Sequence, residues 1–175
     1  FSYLGIFMNY FFITLFYSGL APKAPGTIGT LVAFPLGLFI LIYLDASTLF
    51  LATLLITLVA IKSINKYELE TGSHDDKRIV IDELVGMWFA LSIAPAIGVT
   101  FEEISDLSNG FLIQALLSFA LFRYFDIAKP SIIGRIDRDA KGGIGVMGDD
   151  IVAGFAAGIA SSSLWQGYFY LQTFI

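Results

Sequence analysis

The chain has 175 residues, of which 57% are hydrophobic and only 14% are charged, and its mean hydropathy is +0.79. Because a soluble domain carries roughly 25% charged residues, this composition argues against a soluble enzyme and a disordered chain, and it predicts a membrane protein. The net charge of -5 leaves no basic field for DNA or RNA, so we expect no nucleic-acid partner. The absence of cysteine excludes disulfides, zinc-cysteine sites and thiol nucleophiles.

Long uncharged stretches define the predicted helices. Residues 1–17 are rich in Phe and Tyr and predict an apolar helix that either spans the membrane or lies in its interface. The uncharged stretches are 1–22, 24–44, 46–61, 84–101, 107–122 and 151–175. Since a transmembrane helix needs about 20 mainly apolar residues, we predict an all-α, polytopic integral membrane protein. It has about five transmembrane helices plus the N-terminal apolar helix, in a single membrane-embedded domain over residues 1–175.

The positions of the cations predict the orientation. If the stretches pair as hairpins with tips at Asp45 and at 102–106, all ten Lys and Arg residues lie on one membrane face. The opposite face then holds four acids, Asp45, Glu102, Glu103 and Asp106. The positive-inside rule therefore predicts cytoplasmic loops at 18–30, 62–83 and 123–150, with the last span leaving the C-terminus outside.

The first polar segment on that face reads GLAPKAPGTIGT, from Gly19 to Thr30. Its prolines and glycines predict a turn that ends where the next apolar helix starts. Backbone N–H groups and the hydroxyl of Thr27 could bind an anion there, and Lys23 lies in the same segment. A membrane-entry turn with Thr27 or Thr30 as the helix N-cap explains the same residues.

The second segment, IVIDELVGM, places Asp82 and Glu83 at the mouth of a predicted span. Acids are favoured in the first turn of a helix, so capping explains either one. Two adjacent acids repel each other, and a divalent ion such as Mg²⁺, which prefers oxygen ligands, would offset that repulsion.

The third segment runs from Phe122 to Gly154 and carries both cations and acids. Arg123, Asp126 and Lys129 recur every three residues, so they share one face of a helix that we expect to end at Pro130. A predicted glycine-rich turn then leads to Asp149 and Asp150 at the mouth of the last span. A solvated cytoplasmic loop explains the cations, but it leaves unexplained why paired acids precede two different helices.

The missing residue types narrow the reaction class. Cysteine phosphatases are excluded, and the histidine-based lipid phosphatases need a second histidine, whereas His74 is the only one in the chain. The nucleotide-binding pattern G-x-x-x-x-G-K-[ST] is absent as well. Metal-assisted hydrolysis that uses carboxylates remains, with Arg and Lys ready to bind phosphate oxygens.

The order of these motifs resembles the phosphatidylglycerophosphatase A family of bacterial membrane enzymes. The resemblance lies in GLAPKAPGTIGT (19–30), IVIDELVGM (79–87), FRYFDIAKP (122–130), DR (137–138) and GGIGVMGDDIVAG (142–154). The chain departs from the family pattern at 131–133, where Ser-Ile-Ile replaces a second proline. The resemblance implies a phospholipid substrate, phosphatidylglycerophosphate, whose terminal phosphate is removed to give phosphatidylglycerol. It also implies magnesium dependence and a location in the bacterial cytoplasmic (inner) membrane, with the active site on the cytoplasmic face.

We therefore expect a head-group site in which acids bind metal and cations bind phosphate. The expected ligands of one or two Mg²⁺ ions are Asp82, Glu83, Asp149 and Asp150. The residues expected to take part in catalysis are Asp82, Asp126 and Asp149, with Asp126 either a further ligand or the base that orients water. The expected phosphate-binding residues are Lys23, Thr27, Arg123, Lys129 and Arg138.

Two other functions are consistent with a small membrane protein. An ion or solute transporter predicts ionisable residues in the middle of spans, and a binding or assembly subunit predicts no convergence of acids with phosphate-type loops. The sequence assigns no oligomeric state, although Gly154 and Gly158, four residues apart, predict close helix packing by the last span.

Overall fold

The computed structural model describes residues 3–73, 76–94, 106 and 109–172. The secondary structure of these residues is helical, which confirms the predicted all-α class. The described residues form seven α-helices: α1 (Tyr3–Ile13), α2 (Pro25–Tyr43), α3 (Ala46–Thr71), α4 (Ile81–Ile93), α5 (Phe111–Ala128), α6 (Ile132–Asp139) and α7 (Gly142–Gln172). A short 3-10 turn at Ser18–Leu20 lies between α1 and α2.

Four of the described helices, α2, α3, α5 and α7, are long and apolar enough to cross a membrane. The predicted count of about five spans is therefore not confirmed. The segment predicted to span at 84–101 corresponds to α4, which the structure describes for 13 residues. After Ala94, the rest of that segment lies outside the described residues, as do Glu102, Glu103 and His74. Helix α1 has 11 residues, about half of what a transmembrane helix needs.

Two predicted turns are helical instead. Helix α2 begins at Pro25, directly after Ala24, so Thr27 and Thr30 lie inside the helix and neither is its N-cap. Proline in the first helical turn loses no hydrogen bond and its fixed φ favours the helix. Helix α7 begins at Gly142, so the glycine-rich segment is its first two turns. The second pair of acids, Asp149 and Asp150, consequently lies in the third turn and caps nothing.

Close packing explains why α7 tolerates so many glycines. A Cβ atom on Gly143 would lie 2.4 Å from the carbonyl oxygen of Ile61 on α3. A Cβ on Gly145 would lie 2.6 Å from the carbonyl oxygen of Ala140, at the end of α6. In addition, the N–H of Gly143 donates to Oδ1 of Asn65 at 2.7 Å. These contacts offset the intrinsic cost of glycine in a helix, which is about 1 kcal/mol per residue.

Helix α4 forms the centre of the molecule. Ten of its 13 residues are buried, against α2, α3, α5 and α7. A helix that is apolar on all sides is stable only when it is surrounded in this way. The indole N–H of Trp88 finds its acceptor in the carbonyl of Ala33 on α2, at 2.8 Å.

A seam of small residues joins α4 to α7. A Cβ on Gly154 would lie 2.2 Å from the carbonyl oxygen of Gly86, and one on Gly158 would lie 2.9 Å from that of Ala90. The backbones of the two helices therefore touch, which confirms the predicted close packing at Gly154 and Gly158. Continuing the seam by one turn toward the N-terminal ends of both helices leads to Asp82 on α4 and Asp150 on α7.

The segment before α4 is held by a polar cluster. Arg78 pairs with Asp76 at 2.5 Å and donates to the hydroxyl of Tyr67 at 3.2 Å. The hydrogen bonds from Arg78 lower the pKa of Asp76. The N–H of Val80 donates to the carbonyl of Ile13 on α1, at 3.0 Å. These contacts fix the position at which α4, with its two acids, enters the helical bundle.

Replacing Gly154 by alanine tests the seam. We expect Gly154→Ala to lower the free energy of unfolding by about 1–3 kcal/mol, because its methyl group overlaps a backbone oxygen that cannot move away. Thermal unfolding of the purified protein in detergent measures the change. Gly167→Ala is the matched control, since nothing lies within 4 Å of its added Cβ on the same helix. Equal unfolding temperatures for the two variants would contradict the seam.

Candidate active site

A cavity of about 560 Å³ lies on one side of the bundle, where residues of α2, α4, α5 and α7 meet. It lies at the N-terminal ends of α2 and α4, the C-terminal end of α5 and the third turn of α7, with α6 beside it. The charged residues that line it are Lys77, Asp82, Glu83, Asp126, Lys129, Asp137, Arg138, Lys141, Asp149 and Asp150. The three polar segments of the sequence thus converge on one site.

Three carboxylates from three helices meet in this cavity. One oxygen each of Glu83 (α4), Asp126 (α5) and Asp150 (α7) lies within 4.8 Å of the other two. Glu83 and Asp150 are buried, with 7% and 4% of their surface exposed. Burying like charges at this spacing is costly unless a cation lies among them.

Arg123 supplies part of that positive charge. Its Nη1 lies 2.5 Å from Oε2 of Glu83 and 2.9 Å from Oδ2 of Asp126. The hydroxyl of Thr30 donates to the same Oε2 of Glu83 at 2.9 Å, and Arg123 Nη2 donates to Oγ1 of Thr27 at 3.2 Å. The first two turns of α2 therefore hold Arg123 and Glu83 in place.

A second ion-pair group lies beside the carboxylate cluster. The ammonium of Lys129 donates to Oδ2 of Asp149 at 2.8 Å and also to Asp137 on α6. Lys129 follows the last residue of α5 with φ 43°, a left-handed conformation, and Pro130 prevents the helix from continuing. Burial opposes the charge of Lys129, but its hydrogen bonds to Asp137 and Asp149 raise its pKa overall.

The charged residues that line the interior of the cavity differ from those that line its opening. Glu83, Asp149 and Asp150 are buried, whereas the lining cations Lys77, Arg138 and Lys141 are exposed. Asp137 is an exposed acid of the lining, and it is paired with Lys129. An anion at the opening therefore meets these three exposed cations before the buried carboxylates.

The carboxylate cluster fits a divalent metal ion. All three candidate ligands are carboxylate oxygens, which Mg²⁺ prefers. The three carboxylates carry three negative charges, and the guanidinium of Arg123 carries one positive charge. One divalent cation would balance the remaining two negative charges. Asp82 and Asp149, which line the same cavity, could supply further oxygens.

Comparison with known proteins identifies the family. The family model described as phosphatidylglycerophosphatase A matches residues 11–165. The chain belongs to the phosphatidylglycerophosphatase A family. The residues of the cavity all fall inside the matched region. The family is one of lipid phosphatases, so the chain is an enzyme that hydrolyses a phosphate monoester.

Curated relatives agree with this membership. Phosphatidylglycerophosphatase A of Escherichia coli is 35% identical over 145 residues, which cover 82% of this chain and 76% of the relative. The protein of that name from Haemophilus influenzae is 35% identical over 142 residues, 81% of this chain and 79% of the relative. A Bacteroides thetaiotaomicron protein with the provisional name phosphatidylinositol-3-phosphatase is 38% identical over 145 residues, 81% and 83% of the two chains. No solved structure matches the chain.

The structure groups the expected site residues of this family member differently from the sequence analysis. Each predicted acid pair contributes one member to the three-carboxylate cluster, and Asp126 provides the third. The carboxylate of Asp82 is half-buried and accepts from the N–H of Glu83 at 2.9 Å. Asp149 is bound to Lys129. Lys23 is exposed and is not among the residues that line the cavity.

Four residues of the site were not predicted from the sequence as functional residues. Thr30 and Asp137 hydrogen-bond the groups that the cavity presents, and Lys77 and Lys141 line it. Thr30 lies one turn after Gly26, on the face of α2 that meets Glu83, and a helical reading of that segment would have indicated it. The Lys129–Asp137 pair connects the end of α5 with α6. No periodic pattern in the sequence predicts this contact.

Gly26 shows how tightly α2 approaches the acids. A Cβ on Gly26 would lie 2.1 Å from Oε1 of Glu83. The glycine thus permits the close approach of a helix backbone to a carboxylate. The part of the predicted turn from Pro25 onward is helical instead.

Removing the Thr30 hydroxyl tests its role as a positioning residue. We expect Thr30→Val to lower phosphatase activity about 10-fold or more, because Glu83 loses a donor that orients it. Thr30→Ser keeps the hydroxyl and should restore most of the activity. Phosphate release and the metal concentration for half-maximal activity are the measurements. If Val and Ser variants behave alike, the hydroxyl does not position Glu83.

Proposed function

We propose that this protein hydrolyses phosphatidylglycerophosphate to phosphatidylglycerol and inorganic phosphate in a magnesium-dependent reaction of phospholipid biosynthesis. The observation that carries the proposal is the cluster of Glu83, Asp126 and Asp150 at the bottom of a cavity with a cationic mouth. Family membership and the names of two relatives support the same reaction.

We assign the metal site to Glu83, Asp126 and Asp150, with Asp82 and Asp149 as neighbours within reach of a second ion. Bound Mg²⁺ would polarise a phosphate oxygen and lower the pKa of a water ligand. Arg123 keeps Glu83 and Asp126 together before the ion binds, since it pairs with both of them.

The reacting phosphate would be bound by Lys129. Its ammonium lies between the cavity acids and α6, and an incoming phosphate can replace Asp137 as one of its acceptors. Arg123 is mostly enclosed by Glu83, Asp126 and two threonines, so we assign it to charge balance behind the carboxylates. Thr27 acts through Arg123 and does not line the cavity itself.

Among the cavity acids, Asp82 is the best-placed base for orienting the attacking water. Asp126 belongs to the three-carboxylate cluster, and Asp149 is engaged by Lys129. The carboxylate of Asp82 lines the cavity and receives one hydrogen bond, from the N–H of Glu83. Its remaining lone pairs can accept a proton from water.

The lipid part of the substrate accounts for the apolar body of the enzyme. Ile127, Ile132 and Ile144 are each more than half exposed, on the helices that border the cavity. We propose that these side chains contact the membrane while the head group reaches the cavity. The concentration of Lys and Arg on the cavity side supports the proposal that the active site lies at the cytoplasmic face of a bacterial inner membrane. The chain would act as one membrane-embedded phosphatase domain.

The relatives' names describe lipids with a shared chemistry. Phosphatidylglycerophosphate and phosphatidylinositol 3-phosphate each contain a phosphodiester next to the diacylglycerol and a phosphate monoester on the head group. The proposed reaction therefore keeps the phosphodiester and removes the monoester. The transporter that the composition also allows gains no support from the family match.

Substitution of the cluster tests the metal site. We expect Glu83→Gln and Asp150→Asn to lower magnesium-dependent phosphate release from phosphatidylglycerophosphate roughly 100-fold or more, since each removes a charged oxygen ligand. Asp139→Asn is the matched control, because Asp139 is exposed on α6 and does not line the cavity. Thermal unfolding of each variant in detergent shows whether the fold is retained.

Two results would contradict the proposal. Wild-type phosphate release that persists after complete chelation of divalent ions would exclude a metal-dependent reaction. Full activity in both folded cluster variants would show that these carboxylates are not required.

A further inference from the structure

The mouth of the cavity carries more positive charge than the reaction requires. Lys129 is available for the reacting phosphate, and Arg123 is enclosed by acids. Lys77, Arg138 and Lys141 also line the cavity, and all three are exposed. Hydrolysis of one monoester at the buried carboxylates would leave these outer cations without a role.

The outer cations come from segments that frame the opening. Arg138 lies in the last turn of α6, and Lys141 lies between α6 and α7. A Cβ on Gly134 would lie 2.5 Å from the carbonyl oxygen of Lys129 and 3.5 Å from Nη1 of Arg138. The guanidinium of Arg138 therefore lies close to the turn that also carries Lys129.

We infer that Arg138 and Lys141, together with Lys77, bind the phosphodiester of the substrate while the monoester reaches the carboxylate cluster. This inference rests on the proposed function. A guanidinium and an ammonium exposed at head-group depth suit a phosphodiester anion, which stays in the interface with the acyl chains. The exposed cations and the buried carboxylate cluster thus provide separate positions for the two phosphates of the lipid.

The size of the cavity agrees with a substrate that carries two phosphates. Its volume of about 560 Å³ lies within the range of small-molecule sites, roughly 300–1,000 Å³. A monoester, a three-carbon glycerol unit and a phosphodiester occupy more of such a space than a single phosphate does. The cavity thus has room for a head group whose monoester is separated from the diacylglycerol by a phosphodiester.

A double substitution that removes two of the outer positive charges tests the inference. In Arg138→Gln/Lys141→Gln, we expect kcat/KM for phosphatidylglycerophosphate to fall roughly 10-fold or more, mainly through KM, because contacts made equally in ground and transition states are lost. The matched control is Lys62→Gln/Lys66→Gln, which removes the same charge from α3. These lysines line a separate groove between α1 and α3, so the control should leave KM unchanged.

Inorganic phosphate reports on the inner site alone. Its inhibition constant should be the same for wild type and for Arg138→Gln/Lys141→Gln, since phosphate without a diester needs only Lys129 and the metal. The preference for phosphatidylglycerophosphate over phosphatidic acid, which has no phosphodiester, should fall in the same variant.

Three results would overturn the inference. An unchanged KM would show that the outer cations do not bind substrate. If the inhibition constant for inorganic phosphate rose as much as KM in the same variant, the outer cations would bind the reacting phosphate. If the Lys62→Gln/Lys66→Gln control raised KM as much as Arg138→Gln/Lys141→Gln does, the outer cations would act only through the general positive charge of the protein near the membrane surface. Absence of phosphate release by the wild type would instead overturn the proposed function.

Discussion

Direct contact between the backbones of α4 and α7 is the constraint on which the site depends. Gly86 and Gly154 have no side chains to keep the helices apart, and the carbonyl of Asp150 itself lies 2.7 Å from where a Cβ on Gly86 would be. The turns just beyond the seam therefore bring Glu83 and Asp150 together, with carboxylate oxygens within 4.8 Å of each other. Helix α5 then adds Asp126 from the side. A wider helix spacing would separate the carboxylates and leave no common ligand position.

Bringing these acids together is unfavourable for folding, and the neighbouring residues offset that cost. Arg123 and Thr30 bind Glu83, and Lys129 binds Asp149. A buried ion pair contributes little net stability, but removing one partner leaves a buried charge without compensation. The structure thus retains an arrangement that is poor for stability alone, which is typical of a site kept for binding or chemistry.

Much of this arrangement could be predicted from the sequence, because charges are so few. The apolar stretches indicated the long helices, and the shared face of the cations predicted that the three polar segments meet. The glycine-rich segment before Asp149 was misread as a turn, since glycine disfavours an isolated helix and the compensating contacts with α3 and α6 are tertiary. The grouping of Asp126 with one member of each acid pair was also beyond reach, because it depends on how α5 packs.

The separation of charges among the helices has a consequence for how the family can diversify. The carboxylates belong to long helices locked by the core, whereas Arg138 lies on α6, an eight-residue helix at the surface. A change at Arg138 can therefore alter the outer part of the cavity while the seam and the Lys129–Asp149 pair stay in place. Under the proposed binding mode, head-group preference would then vary at one exposed position without a change in the residues proposed for hydrolysis.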